Sequence, residues 1–363
     1  MRHRSDIGLA DVLTSGAAAV GAPGFVDSLG IGECPLVVVC LVDGLGAEMI
    51  EQNSDIFDSL DGAFGGSIEA AFPTTTSTGL ATLGTGISPG RHGLVGASFW
   101  LPDVDAVLSP LHWGRDPLPQ SVQPEPTVFE RTAAAGVRSV TIAPAAYANS
   151  GLTSAALRGS QYLAAETAQA RVDRLRDVSA DGRPCLAYVY WAALDRAAHE
   201  FGLHSDSWRR AAIDVDGLIG MLRASLPASS ALVVTADHGM VDCGERLWIE
   251  DFPELLAGVR LIAGEPRMRH VYVEDEPEVV AHRWRAVLGD RARVLPKSEA
   301  IDEGLFGEVD EQLVARIGDV LAIAQGTCVL ASRSFDERVS LLRGHHGALS
   351  DAERRVPGLI VRT

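Results

Sequence analysis

The sequence has 363 residues, of which 47% are hydrophobic and 22% are charged, as in an ordinary globular protein. The 48 Asp and Glu residues outnumber the 31 Lys and Arg residues and give a formal net charge of −17. Because so acidic a chain repels polyanions, we expect it not to bind nucleic acid polymers. Its length favours one large domain with a smaller insertion.

The first residues do not resemble a secretory signal peptide, because Asp6 and Asp11 interrupt their apolar stretch. The apolar runs elsewhere are far shorter than the roughly 20 residues that a membrane-spanning helix needs. The five cysteines lack the close paired spacing of a zinc finger. We therefore expect a cytoplasmic protein that has reduced cysteines and does not bind membranes.

Three apolar runs rich in β-branched residues, 35–42, 185–194 and 231–236, predict strands that are buried on both faces of a sheet. Helical character appears between them, in residues 167–178 and 207–226. Strands that alternate with helices predict an α/β fold with a large, doubly wound sheet sandwiched by helices. Residues 127–144 repeat the pattern as a helix, a glycine and a strand.

The sequence becomes more charged from about residue 246 to residue 335, where its pattern is strand, helix, strand. We predict that this segment, called the cap below, forms a small α+β unit. The catalytic core would then consist of residues 1–245 and 336–363.

Seven hydroxyl side chains occur in FPTTTSTGLATLGTG, residues 72–86, where a predicted strand gives way to a helix. Ser and Thr are common helix N-caps, since the side-chain oxygen accepts a hydrogen bond from a backbone N–H of the first turn. A nucleophile mounted at the start of the helix is the functional alternative. The segment alone does not decide between the two.

Asp and His residues follow the ends of the predicted strands, at the edge where open α/β sheets bind ligands. A GHHG segment near the C-terminus adds two more histidines. In chain order, the candidate ligands are Asp43, Asp195, His199, Asp237, His238, His345 and His346. Each cluster alone is typical of a turn or a surface pair, but together they match a two-metal hydrolase site.

Five motifs carry a resemblance to a known family: VDG (42–44), FPTTTSTGLATLGTGISPGRHGLVG (72–96), LDRAAH (194–199), TADHGM (235–240) and GHHG (344–347). In this order they resemble the type I phosphodiesterase/nucleotide pyrophosphatase family of the alkaline phosphatase superfamily. The resemblance implies an alkaline phosphatase-like fold and two divalent metal ions, with zinc expected and manganese as the alternative. It also implies a small phosphorylated substrate and a threonine nucleophile that forms a phosphothreonine intermediate.

The resemblance also implies which residues hold each ion. One set is Asp43, Thr76, Asp237 and His238, and the other is Asp195, His199 and His346. Alignment with the family motif places the nucleophile at Thr76, although the sequence alone leaves Thr75 open. We interpret His92 of the GRHG segment as structural.

Two positions depart from the nucleotide-cleaving members of this family. Ser77 stands where they carry a Phe that stacks on the base, and Ala97 stands where they carry an Asn that contacts the phosphate. Phe99, Trp100 and Trp113 could supply an aromatic wall, but we expect them to be core residues. We therefore expect nucleotides to bind no better than simple aryl esters.

The expected reaction is hydrolysis of a small-molecule phosphodiester or pyrophosphate. A phosphomonoesterase, a phosphonate or sulfate ester hydrolase and a phosphomutase are alternatives on the same scaffold, because this superfamily changes its reaction through the substrate pocket. Arg267 and Arg269 are candidates for binding the extra charge of a monoester. A non-catalytic metal-binding protein is the alternative from another class.

Overall fold

The computed structural model describes residues 7–114 and 116–363. Residues 1–6, with Asp6 of the interrupted N-terminal stretch, lie outside the described residues. The strands are β1 (Leu36–Val42), β2 (Phe64–Glu69), β3 (Phe99–Leu101), β4 (Ala106–Leu108), β5 (Arg138–Ala143), β6 (Gln161–Ala164), β7 (Cys185–Trp191), β8 (Ala231–Thr235), β9 (Val241–Asp242), β10 (Glu245–Trp248), β11 (Val259–Glu265), β12 (Met268–Val273), β13 (Ala292–Pro296), β14 (Val320–Ala324), β15 (Cys328–Ala331), β16 (Gly344–His345) and β17 (Arg355–Arg362).

The helices alternate with these strands over much of the chain. They are α1 (Ala10–Ala19), α2 (Ala47–Gln52), α3 (Thr76–Thr85), α4 (Pro89–His92), α5 (Pro119–Val122), α6 (Val128–Ala134), α7 (Gly151–Ala156), α8 (Ala168–Ser179), α9 (Ala193–Phe201), α10 (Asp206–Ser225), α11 (Pro253–Leu256), α12 (Pro277–Leu288), α13 (Lys297–Asp302), α14 (Arg333–Ser340) and α15 (Asp351–Arg354). In the described ranges, no helix is long and apolar enough to cross a membrane.

The central sheet of the described chain has seven strands in the order β2-β17-β8-β1-β7-β5-β6. The pairs from β8 to β6 are parallel, which confirms the predicted α/β architecture. All residues of β1 and β8 are buried, as expected for strands covered on both faces. Helices α1, α8 and α10 pack on this sheet.

The end of one predicted strand differs in the structure. The run 185–194 is a strand only to Trp191, and α9 begins at Ala193. The C-terminal strand β17 pairs antiparallel with both β2 and β8. Parallel neighbours in a sheet need a long crossover connection, usually a helix, whereas an antiparallel strand does not. The end of the chain can therefore join the sheet between β2 and β8 without another crossover helix.

The cap contains a four-stranded antiparallel sheet in the order β11-β12-β14-β13, with α12 against β13 and β14. A second hydrophobic cluster lies within residues 247–330 and includes the buried Trp284. Other cap side chains, such as Met268 and Phe306, join the main hydrophobic core. The cap boundaries at 246 and 335 remain a prediction.

Candidate metal centre and active site

Three neighbouring strands of the sheet bring three aspartates together. Asp43 follows β1, Asp195 follows β7 in the first turn of α9, and Asp237 follows β8. Because β8, β1 and β7 are adjacent and parallel, their carboxyl ends share one edge of the sheet. The backbone N–H of Asp43 donates to the carbonyl of Trp191 at 2.9 Å. This bond ties the ends of β1 and β7 together.

The glycine after Asp43 is needed at this edge. Gly44 has φ +74°, in the region that favours glycine. A Cβ atom built on Gly44 would lie 3.1 Å from the Cα and Cβ atoms of Asp195. The VDG motif therefore supplies a left-handed turn and also allows close approach of the second aspartate.

The first predicted ligand set converges in the structure. Ligand atoms of Asp43, Asp237 and His238 all lie within 4.8 Å of one another. His238 Nε2 is 3.4 Å from Asp43 Oδ1 and 3.8 Å from Asp237 Oδ2. Thr76 Oγ1, the fourth predicted member, lies 3.2 Å from His238 Nε2.

The second predicted set converges next to the first. His199 Nε2 lies 3.2 Å from His346 Nε2 and 3.4 Å from Asp195 Oδ1. His346 Nε2 is 4.0 Å from Asp195 Oδ1. Ligand atoms of Asp195, His346 and His238 also lie within 4.8 Å of one another, so the His238 ring borders both sets.

All three predicted histidine ligands are oriented in the same way. Each Nδ1 donates to a backbone carbonyl, which leaves Nε2 unprotonated in the neutral ring and directed at the site. The pairs are His238 with Gly239 at 2.9 Å, His199 with Gly344 at 2.7 Å and His346 with Thr74 at 2.9 Å. The lone pairs of the three Nε2 atoms therefore point into the site, where they can bind a cation.

The carboxylates also fit metal ions. Among the described residues, Asp43 Oδ1, Asp195 Oδ1 and Asp237 Oδ2 are buried without a hydrogen-bond partner. Burial raises the pKa of each of these three carboxyls. For Asp43, the charges of Asp237 and Asp195 add to this effect. Buried unpaired carboxylates are costly unless a cation neutralises them, so this donor set fits divalent ions.

A tyrosine holds one of these carboxylates in place. The hydroxyl of Tyr190, on β7, donates to Asp43 Oδ2, and Tyr190 is 8% exposed. Our sequence interpretation missed this residue. A tyrosine hydroxyl within an otherwise apolar buried strand was the available signal, because a buried hydroxyl needs a partner.

The hydroxyls of the FPTTTSTG segment do not cap α3. Thr75 is the N-cap residue, but its side chain makes no capping hydrogen bond, so the capping interpretation is wrong. Every residue of α3 is buried, and the hydroxyls instead bond neighbouring segments. Ser77 donates to the carbonyl of Gly96 at 2.8 Å, and Thr78 donates to the carbonyl of Leu94 at 3.0 Å. These bonds fix the start of α3.

His92 has the structural role that we interpreted from the sequence. Its Nδ1 accepts from the backbone N–H of Leu94 at 3.1 Å, and its Nε2 lies 2.9 Å from Thr82 Oγ1. Burial, and to a lesser extent the charge of Arg316, lowers the pKa of His92 to about 3. The ring therefore stays neutral and connects α3 to the loop after α4.

A cavity of about 460 Å³ opens on one side of the metal centre. Asp43, Thr76, Asp195 and His199 contribute to its wall. The rest of the lining is largely aromatic and apolar, and includes Tyr147, Tyr162, Tyr188, Tyr190, Leu80, Leu152 and Leu157. The rings of Tyr147 and Tyr190 meet edge to face, with centroids 5.9 Å apart.

The first cavity therefore has an aromatic lining although Ser77 stands in place of the family's Phe. Phe99 and Trp113 are buried core residues, as we expected, and Trp100 packs on Tyr272 with ring centroids 5.9 Å apart. The aromatic surface comes instead from tyrosines on other segments. Tyr147, for example, follows β5 and precedes α7.

A second cavity, of about 630 Å³, lies on the other side of the same centre. His199, His346, Thr75 and Glu265 belong to its wall. It is also lined by Ala97, Ser98, Val107, Leu111, His112, Phe335, Val339 and Leu342. The two cavities share Leu111, His199 and Leu342, so the predicted ligand His199 lies in the wall between them.

The arginines that we expected to face the cleft do not reach it. Arg267 is buried in a two-point ion pair with Glu353, at 3.0 and 2.7 Å. Arg269 is buried against Asp336, at 2.6 and 2.9 Å. Their charges are already compensated, so this expectation is wrong. Arg196, next to Asp195, lines the first cavity instead.

Comparison with known proteins gives a family match and several structural matches. The model of the type I phosphodiesterase/nucleotide pyrophosphatase family matches residues 37–349. Among curated protein sequences, no significant match is found.

The structural matches extend over most of the chain. Murine ectonucleotide pyrophosphatase/phosphodiesterase 5 matches with a TM-score of 0.72 and 19% identity, over 90% of this chain and 87% of that chain. An inactive variant of that murine protein, solved in complex with AMP, matches over the same shares of both chains, with a TM-score of 0.71 and 19% identity. Phosphonoacetate hydrolase from Sinorhizobium meliloti 1021, in complex with phosphonoformate, matches with a TM-score of 0.69 and 17% identity, over 90% and 89%.

Proposed function

Because the chain belongs to the type I phosphodiesterase/nucleotide pyrophosphatase family, we propose that it is a two-metal hydrolase of small phosphodiesters or pyrophosphates with Thr76 as its nucleophile. The main support is the convergence of the predicted ligands. Thr76 and the six other predicted ligands meet at one sheet edge, and three of their carboxylate oxygens are buried without a partner among the described residues.

The two predicted sets would each hold one divalent ion. Asp43, Thr76, Asp237 and His238 form the first, and Asp195, His199 and His346 form the second. When bound, the two ions supply positive charge that stabilises the attacking and leaving oxygens of an in-line displacement at phosphorus. The direction of the histidine Nε2 atoms supports this assignment.

The surroundings of the two threonines favour Thr76 over Thr75 as the nucleophile. Thr76 Oγ1 faces His238 Nε2 at 3.2 Å, and Thr76 lines the first cavity. Thr75 instead lines the second cavity together with Glu265. A bond from Thr76 Oγ1 to phosphorus forms as the bond to the leaving alcohol breaks, and water then hydrolyses the phosphothreonine. The net products are a phosphomonoester and an alcohol.

The start of α3 is suited to a phosphoryl group. Thr76 is the first residue of this ten-residue helix, and the backbone N–H groups of a first helical turn lack partners within the helix. They can donate to the phosphoryl oxygens, and the positive end of the helix dipole adds to this attraction. The bonds from Ser77 and Thr78 to neighbouring carbonyls keep these N–H groups in place.

The two cavities support a diester as the substrate. Thr76 lines the first cavity, Thr75 lines the second and the predicted ligand His199 lines both, so the proposal places one substituent of the phosphoryl group in each cavity. A monoester would leave one cavity without a substituent. The tyrosine-rich first cavity suits an aromatic or apolar group, since aromatic side chains bury large areas of such groups.

A panel of chromogenic substrates tests this proposal. The metal-free chain is loaded with zinc or manganese and assayed on a bis-aryl phosphodiester, an aryl phosphate monoester, an aryl sulfate and phosphonoacetate. The proposal expects the highest kcat/KM on the diester and loss of that activity with chelator. Preference for the sulfate or the phosphonate would overturn it, as would bound metal without turnover of any substrate.

A further inference from the structure

Glu265, the last residue of β11 in the cap, lies beside a predicted metal ligand. Its Oε2 is 3.4 Å from His346 Nδ1. The same Nδ1 donates to the carbonyl of Thr74 at 2.9 Å. The proton on Nδ1 therefore has a carboxylate next to it as well as a carbonyl acceptor, and the carboxylate comes from outside the core strands.

His346 differs in this respect from the other two predicted histidine ligands. His199 and His238 approach carboxylates through Nε2, the atom that faces the metal centre. In the described part of the chain, neither has a carboxylate oxygen within ion-pair distance of Nδ1. Within residues 7–114 and 116–363, His346 is the one predicted histidine ligand with a carboxylate on the side opposite the metal centre.

Two backbone segments, at Gly347 and at Ser98, fix the position of Glu265. Gly347 has φ +129°, and a Cβ atom built there would lie 2.8 Å from the carboxyl carbon of Glu265. On the other side, Ser98 Oγ donates to the carbonyl of Gly264 at 2.9 Å, and the N–H of Gly264 bonds the carbonyl of Ser98 at 3.0 Å. The second glycine of GHHG thus makes room for a cap side chain.

We propose that Glu265 is a positioning residue, whose carboxylate fixes the ring of His346 and makes its Nε2 a stronger ligand for the ion shared with Asp195 and His199. This inference rests on the two-ion site proposed above. A carboxylate beside the distal nitrogen of a ligating histidine fixes the tautomer and raises ligand basicity.

The state of Glu265 itself agrees with this role. The residue is 7% exposed, and its Oε1 has no hydrogen-bond partner among the described residues. A buried, incompletely paired carboxylate costs stability, and a nearby divalent ion offsets that cost. Glu265 is thus unfavourable for the metal-free fold and favourable for the metal-loaded one.

The substitution Glu265→Gln tests the inference, since it keeps the size of the side chain and removes its charge. Zinc binding to the metal-free chain is measured by competition with a chelator, together with the melting temperature of the metal-free chain. One of the two ions should bind about 10- to 100-fold more weakly, and the other should bind as in the wild type. The metal-free melting temperature should stay equal or rise.

Asp336→Asn is the matched control, because Asp336 lines the same cavity and pairs with the buried Arg269. It should lower the metal-free melting temperature and leave both zinc affinities unchanged. Wild-type affinity for both ions in Glu265→Gln overturns the inference, as does equal weakening of both ions with a lower metal-free melting temperature. A wild-type chain that binds fewer than two ions overturns the proposed function itself and the inference with it.

Discussion

The imidazole rings of His238 and His346 lie face to face, with centroids 3.6 Å apart and planes inclined by 19°. His238 belongs to the first predicted ligand set and His346 to the second. Burial lowers the pKa of both rings, and for His346 the charges of His238 and His199 lower it further. The two rings can therefore stack as neutral ligands, with one on each side of the boundary between the two ions.

Single ligand substitutions should remove single ions. Asp195→Ala and His346→Ala should each release about one zinc ion per chain, because each removes one of three protein ligands from the second set. His112→Ala is the control: His112 lines the second cavity, and its Nδ1 lies 3.2 Å from Ser109 Oγ, so metal content should not change. Metal analysis of the purified chains checks this prediction. Equal metal content in the wild type and in both ligand variants would refute the assignment.

Metal binding should release protons. Burial raises the pKa of Asp43, Asp195 and Asp237 in the metal-free chain, so these carboxyls hold protons at higher pH than exposed ones. The lowered pKa values of His238 and His346 keep these rings neutral, so these two ligands release no protons. Zinc affinity should therefore rise with pH. Calorimetry in buffers of different ionisation enthalpy measures the release, and an enthalpy independent of the buffer would contradict it.

The hydrogen bond from Tyr190 to Asp43 should strengthen metal binding. Tyr190→Phe removes the donor that orients this carboxylate, and zinc affinity should fall about tenfold. Tyr188→Phe is the matched control, because the neighbouring Tyr188 hydroxyl is buried without a hydrogen-bond partner in the described structure. Chelator competition compares the two variants. Equal affinity in Tyr190→Phe and the wild type would show that the bond has no such role.

The first cavity should select substrates by their organic group. Tyr147→Ala removes part of the aromatic lining, so KM for an aryl diester should rise about tenfold, since base–aromatic stacking is worth roughly 1–3 kcal/mol in single-strand binders. Nucleotide esters should benefit from the same rings, which revises the expectation drawn from Ser77. Steady-state kinetics on aryl and alkyl diesters measures the effect. A similar KM change for both would count against stacking.

Arg196 is the arginine to test for monoester binding, because Arg267 and Arg269 are held in buried ion pairs. We expect diesters to turn over faster than monoesters by kcat/KM at equal metal loading. Arg196→Ala should change this ratio less than threefold, an effect typical of an exposed charge. A monoester preference that disappears in Arg196→Ala would instead identify a phosphatase.

The sequence predicted the elements whose patterns are local. Continuous apolar runs predicted the central strands β1 and β8, since burial on both faces leaves no polar alternation. The positions of Asp43 and Asp237 at the sheet edge were predicted because a residue that follows a parallel strand lies where open α/β sheets bind ligands. The ends of β7 and the direction of β17 depend on tertiary pairing, which no local pattern records.

Contacts between distant segments could not be predicted. Arg267 looks the same in the sequence whether it faces solvent or a buried acid, and its partner Glu353 lies far along the chain on α15. Glu265 is one of many acidic residues, and only the folded cap brings it to His346. Tyr147, by contrast, follows the parallel strand β5 and lines the first cavity at the same edge of the sheet.

Turnover by Thr76→Ala, with metal content determined on the same samples, shows whether Thr76 is the nucleophile of a two-metal site. The alanine removes the attacking oxygen but leaves Asp43, Asp237 and His238 to hold the first ion. Bis-aryl phosphodiester hydrolysis should fall by about 10³-fold or more while two ions remain bound. Thr75→Ala should retain most of the activity. Loss of activity in Thr75→Ala with near wild-type turnover in Thr76→Ala would contradict the account.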